Sequence, residues 1–144
     1  MKRSEPVELM NMCVLRRGSK VLVQDRTDPN WPGVAFPGGH VEKGESFTDS
    51  VIREVQAETG LTISSPRLCG IKDWCEDGVC HVVLLYRAEQ FTGTTRARSG
   101  GRSSPVSPRS ILHLPTCSTF SACLKKMISA SCSTARTVKI GLTN

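Results

Sequence analysis

Between residues 46 and 59 the apolar positions Phe47, Val51 and Val55 recur every four residues with Ile52 beside them, the period of one buried helix stripe. Ser46 precedes the stripe with Asp49 three residues later, a capping-box pattern, and Gly60 follows it, where a left-handed closing residue is easiest. The pattern predicts a helix marked at both ends. On either side the period changes to that of strands. Residues 7 to 15 and 19 to 25, with Val21, Leu22 and Val23 as strand formers, flank Arg16-Arg17-Gly18 and predict a hairpin. Residues 66 to 74 and 79 to 87 flank Asp77-Gly78 and predict a second, whose apolar run from His81 to Tyr86 suits a central strand. Between the first hairpin and the helix lie a loop from Asp28 to Gly33, a short apolar run Val34-Ala35-Phe36, and a glycine turn at Gly38-Gly39. Strands around a helix give a mixed α/β class.

Past residue 91 the pattern fades. Residues 92 to 110 are Gly, Ser, Thr, Arg and Pro with few aliphatic members, which predicts loop or disorder. Residues 118 to 129 recover helical spacing through Phe120, Cys123, Leu124, Met127 and Ile128 behind Ser118, and predict a closing helix. Beyond that, a weak strand can be drawn at Thr137 to Ile140. At 144 residues the chain is sized for a single domain, well specified over residues 1 to 91.

The helix carries the candidate chemistry. Glu54 and Glu58 are four residues apart and so share one face, while Arg53 is expected on a different side, leaving both acids without full neutralisation. Like charges that close repel unless a cation intervenes. Hard oxygen donors on a rigid helix suit Mg2+, with Mn2+ as an alternative, since such ions take few protein carboxylates and keep positions for water and phosphate. The preceding stretch, Phe36 to Glu45, has three glycines that let the backbone approach a ligand, and Glu42 and Glu45 can reach inward from it. A solvated acidic face would account for Glu54 and Glu58 by themselves, but not for the whole spacing.

That spacing, GHVEKGESFTDSVIREVQAETGL from Gly39 to Leu61, resembles the Nudix box, GX5EX7REUXEEXGU with U aliphatic, at every specified position except Ala57, where the pattern has the first of two glutamates. The resemblance extends over about residues 7 to 91. It implies an α/β/α sandwich around a mixed sheet, with the C-terminal part poorly specified. It also implies metal-dependent hydrolysis of a nucleoside diphosphate linked to another group, with water attacking a bridging phosphorus. On that likeness Gly39, by its carbonyl, Glu54 and Glu58 would bind metal, Glu45 would act as base or outer ligand, Arg53 would hold the acids in place, and Gly38 and Gly39 would border the substrate. The catalytic set is then Glu45, Arg53 and Glu54. The order Trp-Pro-Gly, then Phe-Pro-Gly-Gly-His-Val-Glu-Lys-Gly-Glu, looks like MutT-type members, whose substrates include oxidised purine triphosphates such as 8-oxo-dGTP. Hydrolysis of another conjugate such as ADP-ribose stays open, as does a catalytically weakened nucleotide-binding module, because Ala57 removes a carboxylate. Trp31 or Phe36 could stack on a base or pack on its own loop.

Charge changes the picture of the tail. Eight of the 19 Lys and Arg, but none of the 13 Asp and Glu, lie after residue 91, so the net charge of +6 resides there. The tail lacks the aromatic interleaving of a stacking surface, and nucleic-acid binding is not expected. The tail also lacks the acidic and aromatic strand that the family has at this point. It is either a divergent tail or a segment translated out of frame: codons such as GGG AGG TCT TCT, displaced by one base, encode Gly-Glu-Val-Phe. Resequencing the gene separates the two.

Seven cysteines without a secretory pattern predict reduced thiols, and Cys75, Cys80 and His81 lack the second pair that a zinc site needs. No apolar run is long enough for a bilayer, and Met1 to Pro6 is followed by alternation with Glu8. The expectation is a cytoplasmic monomer or homodimer whose partner is a small nucleotide.

Overall fold

The computed structural model describes residues 4–18, 20–26, 33–95, 106–107 and 136–138. In chain order the elements are β1 (Val7–Arg17), β2 (Lys20–Val21), β3 (Gln24–Arg26), β4 (Gly33–Ala35), β5 (Gly38–His40), α1 (Phe47–Thr59), β6 (Leu61–Ser64), β7 (Arg67–Glu76), β8 (Val79–Ala88), β9 (Gln90–Gly93), β10 (Val106–Ser107) and β11 (Arg136–Val138). The main sheet is six-stranded in the order β11-β7-β8-β1-β2, with β5 also paired to β1. β1 runs parallel to β8 and antiparallel to β2 and β5, so the sheet is mixed. A parallel pair needs a long crossover, and α1 lies in the chain between β1 and β8. The class is α/β, as the periodicity predicts. The second helical layer of the expected sandwich depends on residues 118–129, which lie outside the described residues.

Helix α1 begins and ends where its sequence signals stand. The Ser46 hydroxyl accepts from the Asp49 backbone N–H at 3.1 Å and donates to the Asp49 carboxylate at 2.6 Å. Gly60 closes the helix at φ +78°, with its N–H on the Gln56 carbonyl. The buried stripe is shifted from the expected one. Ser50, Val51, Val55 and Thr59 are buried, whereas Phe47, in the first turn, is 45% exposed. Val51 and Val55 pack against Cys13 and Leu15 of β1, Leu84, Tyr86 and Ala88 of β8, and Leu61 and Ile63 of β6. Burying each valine contributes about 2 kcal/mol to holding the helix on the sheet. On the other face of β1, Val14 packs with Val21 and Val23, and Phe36 joins this second cluster. Phe36 is therefore a packing residue. Trp31 lies outside the described residues.

Several expectations change in detail. The first hairpin is short: β2 pairs through Arg16–Val21 and Arg17–Lys20 alone, after which Gln24–Arg26 joins β4 and β10 in a separate sheet. The Gly38-Gly39 turn is a strand, in register with Met12 and Asn11. Residues 92–110 are not all loop, since Thr92 and Gly93 pair with Thr62 and Leu61, and Val106 and Ser107 pair with Arg26 and Asp25. The weak terminal strand forms at Arg136–Val138 against Ile71 to Asp73.

The second hairpin turns at Asp77 and Gly78, both with positive φ (+50° and +79°), as a mirror-image two-residue turn requires. Its register sets Cys75 opposite Cys80 with Cα atoms 4.1 Å apart, and the two are joined as a disulfide. The expectation of reduced thiols fails at this pair, because counting cysteines does not reveal which two a tight turn sets side by side. Cys13 and Cys69 are free and buried, and burial first, then the neighbouring Cys69, pushes the Cys13 thiol up to about 12.

Candidate active site

One strand and one helix face make the site. β5 lies against β1, and α1 crosses it so that Glu54 and Glu58 meet the two glycines. Gly38 donates its backbone N–H to Glu58 Oε2 at 2.9 Å. At Gly39 an added Cβ would stand 2.6 Å from the Glu54 carboxyl carbon and within 2.9 Å of both its oxygens. At Gly38 an added Cβ would run into the backbone of Asn11 and Met12. Both glycines are dictated by close approach rather than by a left-handed backbone, since neither is among the positive-φ residues.

Arg53 knits the acids to the loop that follows β5. Its Nε donates to Glu45 Oε1 at 2.7 Å, Nη2 to Glu45 Oε2 at 2.8 Å and to the His40 carbonyl at 3.0 Å, and Nη1 to Glu54 Oε1 at 2.6 Å. Glu42 Oε1 is 4.0 Å from Nη1. The expectation that Arg53 would stand apart from the acids is thus corrected: its long side chain folds back over β5 and engages Glu45 and Glu54 together. The loop itself closes through Glu45 N–H on the Glu42 carbonyl at 3.0 Å, with Gly44 at φ +82°.

The Arg53 hydrogen bonds hold the Glu45 carboxyl down at about 2, and the same bonds push the Arg53 guanidinium further above its usual range. Because the folded value lies below the unfolded one of 4.5, the pair stabilises the fold above that pH and loses its contribution as acidification proceeds towards 2. Thermal melts of wild type and Glu45→Gln should therefore differ most above about pH 5 and converge only as the pH falls to about 2. A gap that stays constant with pH would contradict this linkage.

Two polar residues that sequence reading did not single out support the site from below. Asn11, 2% exposed, donates from Nδ2 to Ser50 Oγ at 2.7 Å, and Ser50 Oγ donates to the His40 carbonyl at 3.4 Å. The available signal was an asparagine inside the apolar run Leu9 to Leu15 and a serine within the buried helix stripe. Such residues need a buried partner.

A family model described as the NUDIX domain matches residues 10–114. The chain belongs to that family. Among curated relatives, the uncharacterized Nudix hydrolase YvcI of Bacillus subtilis is 38% identical over 92 residues, 60% of this chain and 57% of that protein. The ADP-ribose pyrophosphatase of Methanocaldococcus jannaschii is 36% identical over 59 residues, 40% of this chain and 35% of that protein. The chain thus matches 57% and 35% of these relatives' lengths. Among solved structures, the mutator MutT protein from Bacillus halodurans aligns with a TM-score of 0.54 at 27% identity, covering 64% of this chain and 62% of that one. The MutT NUDIX hydrolase from Burkholderia pseudomallei aligns with a TM-score of 0.63 over 89% of this chain and all of its own, and at 20% identity this likeness speaks for the fold.

Nudix hydrolases use divalent metal ions. Among the described residues no three His, Cys, Asp or Glu side chains form a ready-made cage. Two glutamates bracketing a glycine strand fit instead a small hard ion that keeps several positions for water and phosphate oxygen. The donor set is hard oxygen throughout, and the Gly39 position leaves the Glu54 carboxylate no room for a β-carbon beside it.

Proposed function

We propose that the protein is a metal-dependent nucleotide pyrophosphohydrolase, cleaving a nucleoside triphosphate, in the first instance an oxidised purine such as 8-oxo-dGTP, into monophosphate and pyrophosphate. The observation that carries this reading is the convergence of Glu54 and Glu58 on Gly38 and Gly39 with Arg53 tying Glu45 and Glu54 together. Mg2+, or Mn2+ in its place, would be held by Glu54, Glu58 and the Gly39 carbonyl, and once bound would polarise a phosphoryl oxygen and ease deprotonation of the attacking water. Arg53 fixes the direction in which Glu54 presents its oxygens. Glu45, ionised and gripped at both oxygens, is a poor proton acceptor, so its role here is to anchor Arg53. Gly38 and Gly39 let a polyphosphate approach the backbone. A cytoplasmic location belongs to the same reading, as nucleotides are plentiful there, and no described helix is long and apolar enough to cross a membrane.

Two observations favour other members of this reaction class or its loss. The M. jannaschii relative bears the name ADP-ribose pyrophosphatase, so ADP-ribose belongs in the substrate panel. Ala57 removes a carboxylate next to Glu58, which favours a weakened enzyme or a nucleotide-binding module. Position 57 is exposed on the helix, so a glutamate there meets no steric barrier. Release of pyrophosphate from a panel of nucleoside triphosphates, and of AMP from ADP-ribose, with and without Mg2+, tests the reading. Ala57→Glu should raise kcat about 10²-fold by adding an oxygen donor beside the reacting phosphate. It should also lower stability in chelator by about 0.5 kcal/mol, since a third acid then stands three residues from Glu54 on the helix. If neither wild type nor Ala57→Glu turns over any nucleotide while both bind one, the module reading replaces the enzyme.

A further inference from the structure

The Gly38-Gly39 step cannot anchor itself. Neither residue has a side chain of its own, and a Cβ at either would meet a close neighbour, so the first side chain that the strand itself offers to fix this backbone is that of His40. Its ring nitrogen Nε2 lies 2.9 Å from Oε1 of Glu8, on β1. The other oxygen of the same carboxylate, Oε2, lies 2.7 Å from Nδ1 of His81, on β8. An ionised carboxylate accepts and does not donate, so each imidazole presents an N–H to it. Glu8 thus ties together β5 and β8, the two strands that flank β1 at this level, where its register partner is His81.

The tie is exposed at its His40 end, where the His40 and Glu8 side chains are 64% and 41% exposed, and firmer than an isolated surface pair at its His81 end. The His81 side chain is 20% exposed and its ring stacks on Trp74, with centroids 4.9 Å apart and planes 14° apart, while the Lys72 ammonium stands 5.2 Å above Trp74. The His81 ring is therefore held in place before it meets Glu8, and ordering it a second time costs little entropy. At the other end, the His40 carbonyl accepts from Arg53 Nη2 at 3.0 Å and from Ser50 Oγ at 3.4 Å. Arg53 in turn orients Glu54.

We propose that Glu8, outside the Nudix box, is a positioning residue: its bridge from His81 to His40 sets the place of the His40 carbonyl and, through Arg53, of the Glu54 carboxylate. The proposal rests on the hydrolase reading for its kinetic arm only. It is tested in the full chain with Glu8→Ala, Glu8→Gln, and the double variant Glu8→Ala/His40→Ala, through three measurements. In nucleotide-free protein, Mn2+ affinity should fall about 5-fold in Glu8→Ala, and exchange of the Val41 amide, which donates to the Leu9 carbonyl at 2.9 Å, should quicken by about 5-fold. With the nucleotide that the wild type hydrolyses best, kcat should fall about 5-fold with KM nearly unchanged. Glu8→Gln, which keeps an acceptor, should recover most of each loss, and the double variant should be no worse than Glu8→Ala.

Wild-type Mn2+ affinity and Val41 exchange in Glu8→Ala would overturn the proposal. So would a loss confined to KM, or a lowered melting temperature with affinity and exchange unchanged. A wild type that binds Mn2+ but hydrolyses no nucleotide removes the hydrolase reading, while the affinity and exchange comparisons still decide the role of Glu8. In a wild type that binds no cation, the exchange comparison decides it.

Discussion

Glu54→Gln should lower kcat about 10³-fold while leaving the protein folded, because it removes one charged oxygen donor from beside the reacting phosphate without changing the volume of the side chain. Stability should hold within about 1 kcal/mol, as two small terms oppose each other. The substitution weakens the 2.6 Å contact to Arg53, and it also removes the repulsion between Glu54 and Glu58, four residues apart on one helix face. Steady-state kinetics beside thermal melts in chelator check both halves. A variant that retains most of its activity would show that Glu54 is not a ligand.

The second large effect separates two adjacent glycines by mechanism. Gly39→Ala places a methyl group against the end of a flexible glutamate, so the side chain can swing away: melting should change little, and activity should drop about 10²-fold as Glu54 leaves the site. Gly38→Ala drives the same methyl group into the strand backbone at Asn11 and Met12, which cannot yield without breaking the β1–β5 pairing. Its cost should be about 3 kcal/mol, a melting point lower by about 10 °C. Were both variants to lose stability equally, the contact between Gly39 and Glu54 would not be the one described.

These glycines also show where the sequence was readable and where it was not. The helix was legible at both ends because its signals are local: Ser46 and Asp49 bond each other, and Gly60 takes the backbone angle that other residues avoid. The Asp77-Gly78 hairpin was legible for the same reason. Gly38 and Gly39 read as a turn because glycine most often marks one, yet here the glycines answer to a neighbour 27 residues away in the chain, Asn11 beside Gly38, and to a helix that crosses above. From helix spacing the site was legible as a set of acids, while the tie through Arg53 came only with the family resemblance. Arg53 was assigned a side of the helix from its α-carbon, which ignores the reach of a side chain long enough to span Glu45, Glu54 and His40. The Asn11–Ser50 bond depends on how α1 packs across β1, which no local spacing reveals, whereas the Cys75–Cys80 pair was within reach, because a two-residue turn at Asp77-Gly78 sets those two residues opposite each other.

The motif that identifies the family is continuous from Gly39 to Leu61, but it is not autonomous. Its strand rests on β1, and β1 in turn is completed on its other side by β8, whose residues Cys80 to Ala88 align with Val7 to Leu15. On a ribosome the whole motif is synthesised before that partner. A nascent chain ending at Leu61 would own every atom of the proposed ligand set and still lack the floor that sets them at working distance, so competence should arrive late, when the residues around position 88 have joined.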